Sequence, residues 1–163
     1  MTSPSLRRRI DSPVGPIELV CDGTHLTELT LCGHSARHRT FGGDASRVLD
    51  RAERQIAEYF AGTRREFDLP LAPSGTAFQR SVWAELTRIP FGATSSYGAI
   101  AAAVGKPAGA RAVGGAVGSN PIALIIPCHR VLASDRRLTG YSGGDGVDTK
   151  MELLDLEHIE YRA

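Results

Sequence analysis

The sequence lacks the features that mark membrane, secreted and disulfide-bonded proteins. Its 163 residues contain no apolar run of about 18 residues, the length that a membrane-spanning helix needs. Residues 1–9 are polar and basic with no apolar core behind them, so no signal peptide is predicted. The cysteines, Cys21, Cys32 and Cys128, are odd in number and widely spaced, which argues against a disulfide framework and fits a reducing compartment. We therefore expect a soluble cytoplasmic protein, not bound to a membrane, in which Cys128 is free.

A strong charge of either sign is also missing. The net charge is +1 at neutral pH, so the composition alone does not indicate a nucleic-acid partner, because such proteins usually carry a basic excess. The short basic runs at residues 7–9 and 64–65 are interpreted as solvated flanks rather than phosphate contacts. With 42% apolar and 23% charged residues, the chain is typical of a globular protein with one ordinary domain or two small ones.

The amino-terminal part predicts a small sheet covered by one helix. Residues 9–31 are punctuated by turn signals, and Asp22-Gly23 indicates a hairpin. Residues 44–61 carry apolar side chains at helical spacing, and Gly62 stands where a cap is expected. The stretch 70–75 is the best linker candidate because it holds two prolines and a glycine, so we predict domains at residues 1–72 and 73–163.

Cysteine and histidine in this part also raise the question of a metal. Cys21, His25, Cys32 and His34 are residue types that bind zinc. Their spacing matches no common zinc template, so we predict no metal site.

The second half of the chain is predicted to be mostly helical. Thr76 and Gln79 form a capping-box pattern that opens a helix ending near residue 90. Ser95 or Ser96 can cap a short helix to residue 105, and Lys106-Pro107 then turns the chain into a second helix at 108–117. Two short helices across such a turn are a helix-turn-helix pattern, which is weak evidence by itself. Asp148 is predicted to cap the last helix.

The stretch that carries chemistry begins with five consecutive apolar residues, 122–126. They predict a buried strand that Pro127 ends, and Cys128 and His129 follow directly. A thiol needs help to ionise at neutral pH, because its ordinary pKa is about 8.5. By itself such a cysteine is more often a small core residue than a nucleophile. His129 could act as its base if the chain turns after Pro127 or if water relays the proton.

The surroundings of Cys128 add a family resemblance. Pro-Cys-His-Arg-Val at 127–131, with Ser-Asn-Pro at 119–121 and Gly-Tyr-Ser-Gly-Gly at 140–144, resembles the active site of the O6-alkylguanine-DNA alkyltransferases. The resemblance runs from about residue 75 to residue 157. It implies an α/β fold: a small amino-terminal sheet with a helix, then a mostly helical domain with a helix-turn-helix and the cysteine after a short strand.

The resemblance also implies a reaction. Cys128 would take the alkyl group from O6-alkylguanine, and also O4-alkylthymine, in double-stranded DNA and keep it as a stable thioether, once per molecule and without a cofactor. Glu157 and His129, through water, would generate the thiolate. Asn120 would brace the turn that holds the nucleophile, and Tyr97 would hydrogen-bond the flipped guanine and assist its protonation. The protein is expected to act as a monomer.

The same resemblance suggests a set of substrate- and DNA-binding residues. The second helix of the helix-turn-helix would enter the minor groove, and Arg111 would take the space of the extruded nucleotide. Tyr141 would pack on the base, while the main chain near Ser142 and Val131 would read the guanine edge. The full predicted set is Arg111, Ala110, Gly109, Tyr141, Ser142, Val131 and Arg130.

Other interpretations stay open at this point. The glycines of the second helix could reflect tight packing, Tyr97 could be a core tyrosine and Glu157 an exposed helix residue. A cysteine hydrolase would use the same Cys128 and His129, and a DNA-binding regulator could sense alkylation by the same transfer. Residues 145–148 are expected to make the segment between the 140–144 motif and the last helix about two residues longer than in relatives. Ala123, where some relatives carry proline, suggests a roomier pocket.

Overall fold

The amino-terminal part of the protein is a three-stranded antiparallel sheet. The computed structural model describes residues 5–34 and 44–163. Strands β1 (Leu6–Ile10), β2 (Ile17–Cys21) and β3 (Leu26–Leu31) pair in the order β1-β2-β3. The predicted hairpin turn is confirmed: the Asp22 carboxylate accepts from the backbone N–H groups of Thr24 and His25, and Gly23 has φ 101°. Such a positive φ favours glycine.

Helix α1 (Arg47–Phe60) packs on this sheet. It starts later than predicted because the Ser46 hydroxyl caps it by accepting from Leu49 N. Gly62 follows the end of the helix with φ 81°, as the sequence predicted. The interpretation of residues 7–9 as a solvated flank is wrong for Arg8, although Arg7 is exposed. All three belong to β1, and Arg8 Nη1 lies 2.7 Å from Asp50 Oδ1 of α1.

The free edge of β3 is covered by two distant parts of the chain. Leu26 N donates to Pro70 O at 2.8 Å, so the predicted linker forms a β-bridge. Leu29 N donates to Pro121 O at 2.9 Å, just before the stretch that leads to Cys128. The edge of β3 therefore binds both the linker that leads into the second half and the segment that leads to Cys128.

The second half is mostly helical, as predicted. The capping box of α2 (Ala77–Thr87) is present with both of its hydrogen bonds. Ser96 caps α3 (Tyr97–Ala103), whereas α4 (Ala110–Gly118) begins two residues later than expected. Helix α5 (Val147–Leu156) begins after Gly146, so Asp148 lies in its first turn and is not its cap. Two short parallel strands, β4 (Ser95–Ser96) and β5 (Val131–Leu132), join α3 to the region that follows Cys128.

The predicted strand at residues 122–126 is wrong. Ile122 makes one β-bridge, to Leu29, and the chain then turns, with Leu124 at φ 72°. Cys128 begins a 3₁₀ helix (Cys128–Arg130) and precedes β5 instead of following a strand. All five residues of the stretch are buried, so the sequence pattern reported burial correctly. A short apolar run does not separate a buried strand from a buried turn.

One contiguous apolar core joins the sheet, α1 and the helices of the second half. Trp83 of α2 fixes α4 in this core, because its indole N–H donates to Ala116 O at 2.8 Å. The predicted α/β architecture is confirmed, while the domain boundary at residues 72–73 stays a prediction. Among the described residues, no helix is long and apolar enough to cross a membrane.

Candidate active site

Asn120 holds the turn that presents Cys128. Its side-chain N–H donates to Ile126 O at 2.8 Å, and its side-chain oxygen accepts from Ile122 N at 3.0 Å. One side chain thus satisfies both ends of the turn, where a strand would have used a neighbouring strand. Cys128 is 5% exposed, and burial raises the pKa of its thiol, partly offset by Asn120 and Tyr141.

Glu157 is the centre of a buried polar network. It is 2% exposed, so the interpretation as an exposed helix residue is wrong. Its carboxylate accepts from His129 Nε2 at 2.6 Å, from the Tyr59 hydroxyl at 2.7 Å and from Gly92 N at 3.2 Å. Arg130 adds two further bonds, from Nε at 2.8 Å and from a terminal nitrogen at 3.1 Å. These five donors satisfy the carboxylate from several directions.

The ionisation of this network fixes the tautomer of His129. Burial alone would raise the pKa of Glu157, but the hydrogen bonds and positive charge of His129 and Arg130 outweigh it and lower the pKa to about 2. Burial lowers the pKa of His129, so the imidazole is neutral at neutral pH. Because the Glu157 carboxylate can only accept, Nε2 of His129 carries the hydrogen and Nδ1 is bare. Nδ1 is buried and has no hydrogen-bond partner among the described residues, so it is the nitrogen left to take a proton.

Arg130 lies in the protein interior and not on a DNA-binding surface. It is 6% exposed, and its guanidinium is occupied by Glu157 and by Ile89 O at 2.7 Å. This corrects the prediction that Arg130 contacts substrate or DNA. Its charge balances Glu157, which removes the need for a charged His129.

Two cavities border Cys128. One of about 50 Å³ lies between α3, α4 and residues 140–144, which we call the glycine-rich loop, and Tyr97, Gly114 and Ser142 line it. The other, of about 200 Å³, lies between β3 and the same loop, with Ala123 in its wall. Tyr141 lines both cavities, and its hydroxyl oxygen lies 3.9 Å from Cys128 Sγ. The thiol is therefore reachable from the helix-turn-helix side and from the sheet side.

The glycine-rich loop is attached to both halves of the protein. Ser142 donates from its hydroxyl to Gly118 O at 3.0 Å, which ties the loop to the end of α4. Gly144 N donates to Leu31 O at 2.9 Å, which ties it to β3. Just after these residues, the Asp145 carboxylate accepts from His34 N at 2.8 Å. This bond ties the chain that follows the loop to the chain that follows β3.

Helix α4 presents its predicted binding residues at its first turn. Ala110 and Arg111 are exposed, and Arg111 has no hydrogen-bond or ion-pair partner in the part of the chain that the structure describes. Tight packing explains Gly109, because a Cβ there would lie 3.0 Å from Lys106 O. It does not explain Gly115 or Gly118, where a Cβ would meet nothing within 4 Å. Internal packing therefore does not account for all the glycine in this helix.

Several polar contacts near the site were not foreseen from the sequence. The Tyr97 hydroxyl lies 2.7 Å from Thr139 Oγ1, and buried Lys150 donates to Val131 O at 2.7 Å. Tyr59 was predicted only as an apolar helix residue. A buried tyrosine hydroxyl usually needs a hydrogen-bond partner, so the sequence could have indicated that Tyr59 bonds a polar group. No feature of the sequence indicated that Lys150 is buried, because it falls in an ordinary helical pattern.

The cysteines and histidines of the amino-terminal part have separate surroundings. Cys21 Sγ lies 3.4 Å from Ser46 Oγ, while His34 contacts Glu152 at 3.2 Å. Within residues 5–34 and 44–163, no group of three or more potential ligands is placed to hold a metal ion. All three cysteines are free thiols, and the prediction that Cys128 is free is confirmed.

Comparison with protein families accounts for nearly the whole chain. The family model of the 6-O-methylguanine DNA methyltransferase DNA binding domain matches residues 77–159. The model of the ribonuclease-like domain of the same methyltransferase matches residues 6–73. Fold and site together define a methyltransferase whose acceptor is a cysteine.

Individual relatives agree over most of their length. A Mycobacterium bovis protein named methylated-DNA–protein-cysteine methyltransferase is 46% identical, over 92% of this chain and 90% of its own. A Methanosarcina barkeri protein of the same name is 45% identical, over 94% and 97%. The crystal structure of Mycobacterium tuberculosis O6-methylguanine methyltransferase matches with a TM-score of 0.82 at 44% identity, over 94% and 93%. That of Mycobacterium tuberculosis OGT in complex with DNA matches with 0.81 at 46%, over 93% and 91%. The chain belongs to the 6-O-methylguanine DNA methyltransferase family, and the predicted enzyme class, a methylated-DNA–protein-cysteine methyltransferase, is confirmed.

Proposed function

We propose that this protein repairs DNA by moving the alkyl group of O6-alkylguanine, and of O4-alkylthymine, irreversibly to Cys128. One observation carries the proposal: Cys128 borders the cavity formed by α3, α4 and the glycine-rich loop. A base entering from the exposed side of α4 meets the thiol there.

In the proposed reaction, the Cys128 proton passes through water to Nδ1 of His129. A relay is needed because no direct hydrogen bond joins these two side chains among the described residues. The thiolate attacks the alkyl carbon, a carbon–sulfur bond forms, and the bond to guanine O6 breaks. The electron pair of that bond stays on the base, which takes a proton from Tyr97. No cofactor takes part, and the thioether has no hydrolytic exit, so each molecule acts once.

Glu157 and Asn120 act without touching the alkyl group. Glu157 holds His129 in the tautomer with a bare Nδ1 and lets the ring gain a proton beside an existing negative charge. Asn120 fixes the turn from which Cys128 projects. Tyr141 packs on the base, and the main chain near Ser142 and Val131 reads its edge.

DNA binding is assigned to α4. A relative was crystallised in complex with DNA, and α4 presents small residues beside the exposed Arg111. In the proposal a monomer lays Gly109 and Ala110 in the minor groove, and Arg111 fills the space of the flipped nucleotide. The protein works in the cytoplasm, with residues 1–72 and 73–163 as its two domains.

Arg111→Ala separates flipping from chemistry. We expect about a tenfold or greater loss of repair on duplex DNA, because unstacking a base costs a few kcal/mol, and little change with the free modified base, which needs no extrusion. Single-turnover rates on both substrates measure this. Equal losses on both would place Arg111 in folding or chemistry.

The decisive test is intact mass after incubation with a duplex that contains one O6-methylguanine. The expected result is one methyl group per molecule, located on Cys128 by peptide mapping, with guanine restored in the DNA. Repeated turnover of an ester or amide without a stable adduct would identify a cysteine hydrolase instead. Transfer combined with sequence-selective DNA binding would identify a regulator that senses alkylation.

A further inference from the structure

Lys150 is a buried ionisable group that the reaction above does not use. The residue is 1% exposed in α5, and its ammonium donates to Val131 O at 2.7 Å and to Thr139 Oγ1 at 3.3 Å. Thr139 Oγ1 in turn lies 2.7 Å from the Tyr97 hydroxyl. Three polar groups therefore form a continuous chain from a buried positive charge to the wall of the cavity that Cys128 borders.

We propose that Lys150 is a positioning residue that acts through Thr139 to keep the Tyr97 hydroxyl supplied with the proton that the leaving guanine takes. The inference rests on the proposed function and extends it. As the bond to O6 breaks, Tyr97 gives its proton to the base, Thr139 gives its hydroxyl proton to Tyr97, and the Lys150 ammonium gives one to Thr139. The lysine ends as a neutral amine, and the proton count balances with the one that Cys128 passes to His129.

The direction of this chain follows from what each member can do. An ammonium has three donors and no acceptor, so Thr139 Oγ1 must accept from Lys150. The threonine hydroxyl hydrogen is then free to point to Tyr97, whose own hydrogen is left for the cavity. A lysine that served only to hold β5 would need the bond to Val131 and not the one to Thr139.

Electrostatics makes Lys150 a ready proton source. Burial lowers its pKa to about 8, so the ammonium holds its proton less tightly than an ordinary lysine. A negative charge on Cys128 raises the pKa of Lys150, and the positive charge of Lys150 in turn lowers the pKa of His129. The thiolate therefore keeps Lys150 protonated. Once the thiolate has taken the alkyl group its negative charge is gone, and Lys150 can give up its proton.

The test compares two reactions of the same thiol. Methyl transfer from duplex O6-methylguanine needs a proton on the leaving base, whereas alkylation of Cys128 by iodoacetamide releases iodide, which needs none. Thr139→Val breaks the chain without changing side-chain shape. We expect it to slow methyl transfer about 10- to 100-fold, less than the roughly 100- to 10,000-fold that general acid catalysis supplies, because the Tyr97 hydroxyl itself remains. The iodoacetamide rate should stay within about twofold. Thr139→Ser restores the hydroxyl and should recover most of the lost rate.

Lys150→Met and its combination with Thr139→Val test whether the lysine acts through the threonine. In the double variant we expect methyl transfer no slower than in Lys150→Met, because one chain is broken twice. The wild-type transfer rate should fall above pH 8 as Lys150 loses its proton, and Lys150→Met should lack this decline. Melting curves identify any variant that is unfolded. If Lys150→Met is unfolded, the methyl-transfer rates of Thr139→Val and Thr139→Ser decide the question.

The outcomes separate the inference from the function. If the wild type transfers methyl groups and Thr139→Val does so equally fast, or loses both reactions equally, the relay is wrong and the proposed function stands. Additive losses in the double variant would also overturn the relay. If the wild type reacts with iodoacetamide but never with O6-methylguanine DNA, the proposed function falls, and the relay with it.

Discussion

The two ionisable centres of the site are built in opposite ways. Glu157 receives five hydrogen bonds from four residues and has its pKa lowered to about 2. The Cys128 thiol lies 3.9 Å from the Tyr141 hydroxyl, and burial raises its pKa, an effect that Asn120 and Tyr141 offset only in part. The carboxylate is therefore held in its charged form, whereas burial favours the neutral thiol. The difference separates a group that holds the site together from the group that we propose to react.

Replacing the thiol should have the largest effect on activity and almost none on the fold. Cys128→Ser removes the nucleophile but little volume, so we expect complete loss of methyl transfer with retained melting temperature and DNA affinity. Intact mass, thermal melting and a DNA-binding titration measure the three quantities. Measurable transfer by this variant would mean that another residue accepts the alkyl group.

Removing the charge of Glu157 should have the largest effect on stability. Glu157→Gln leaves Arg130 as a buried cation without its anion, and breaking such a pair typically costs about 3 to 5 kcal/mol. Urea denaturation measures the free energy of unfolding.

The matched control for this variant is Glu152→Gln in α5, the helix that Glu157 directly follows. The Glu152 side chain is 40% exposed and pairs with the exposed His34, so a change below about 1 kcal/mol is expected. Equal losses in the two variants would show that the buried network does not distinguish Glu157.

Acid should weaken the same centre. The pKa of Glu157 is about 2 in the folded protein against 4.5 for an ordinary glutamate, so the unfolded chain binds more protons between these values and stability falls as pH falls. The shift corresponds to about 3 kcal/mol. The lowered pKa of His129 acts in the same direction below pH 6.5. Denaturation at a series of pH values measures this, and Glu157→Gln should show a shallower decline. A variant with the wild-type pH dependence would contradict the assignment.

Alkylation should have a smaller effect, confined to the thiol side. Extra methylenes in close-packed regions typically cost about 1 to 3 kcal/mol, and Cys128 is buried between the glycine-rich loop and α4. We expect the melting temperature to fall as the alkyl group grows, and the modified protein to release DNA as α4 is displaced. Melting curves after stoichiometric reaction with a series of donors test this. An unchanged melting temperature throughout would show that the two cavities accept the added group without strain.

What could be predicted from the sequence was mainly local. The capping box at Thr76 and the Ser96 cap depend on residues three positions apart, and both are present. The Cys128 neighbourhood was found because its motif is contiguous. The interpretation of Arg130 was wrong because its partner is distant: nothing near Arg130 indicates a bond to Glu157, 27 positions away. At residues 122–126 the apolar run indicated burial but did not show that the chain turns there, with Asn120 bonded to both Ile122 and Ile126.

The attachment of β3 to Pro121 has a consequence for how the protein is made. The strand is complete once residue 31 has been synthesised, but its edge stays without this partner until residue 121 follows. Such distant pairings slow folding, and an unpaired edge is a place where chains associate wrongly. Nascent chains halted before this point expose the part of the β3 edge around Leu29, while the Gly144 contact to Leu31 requires still more chain. The Cys128 thiol is therefore seated only after most of the polypeptide has been synthesised.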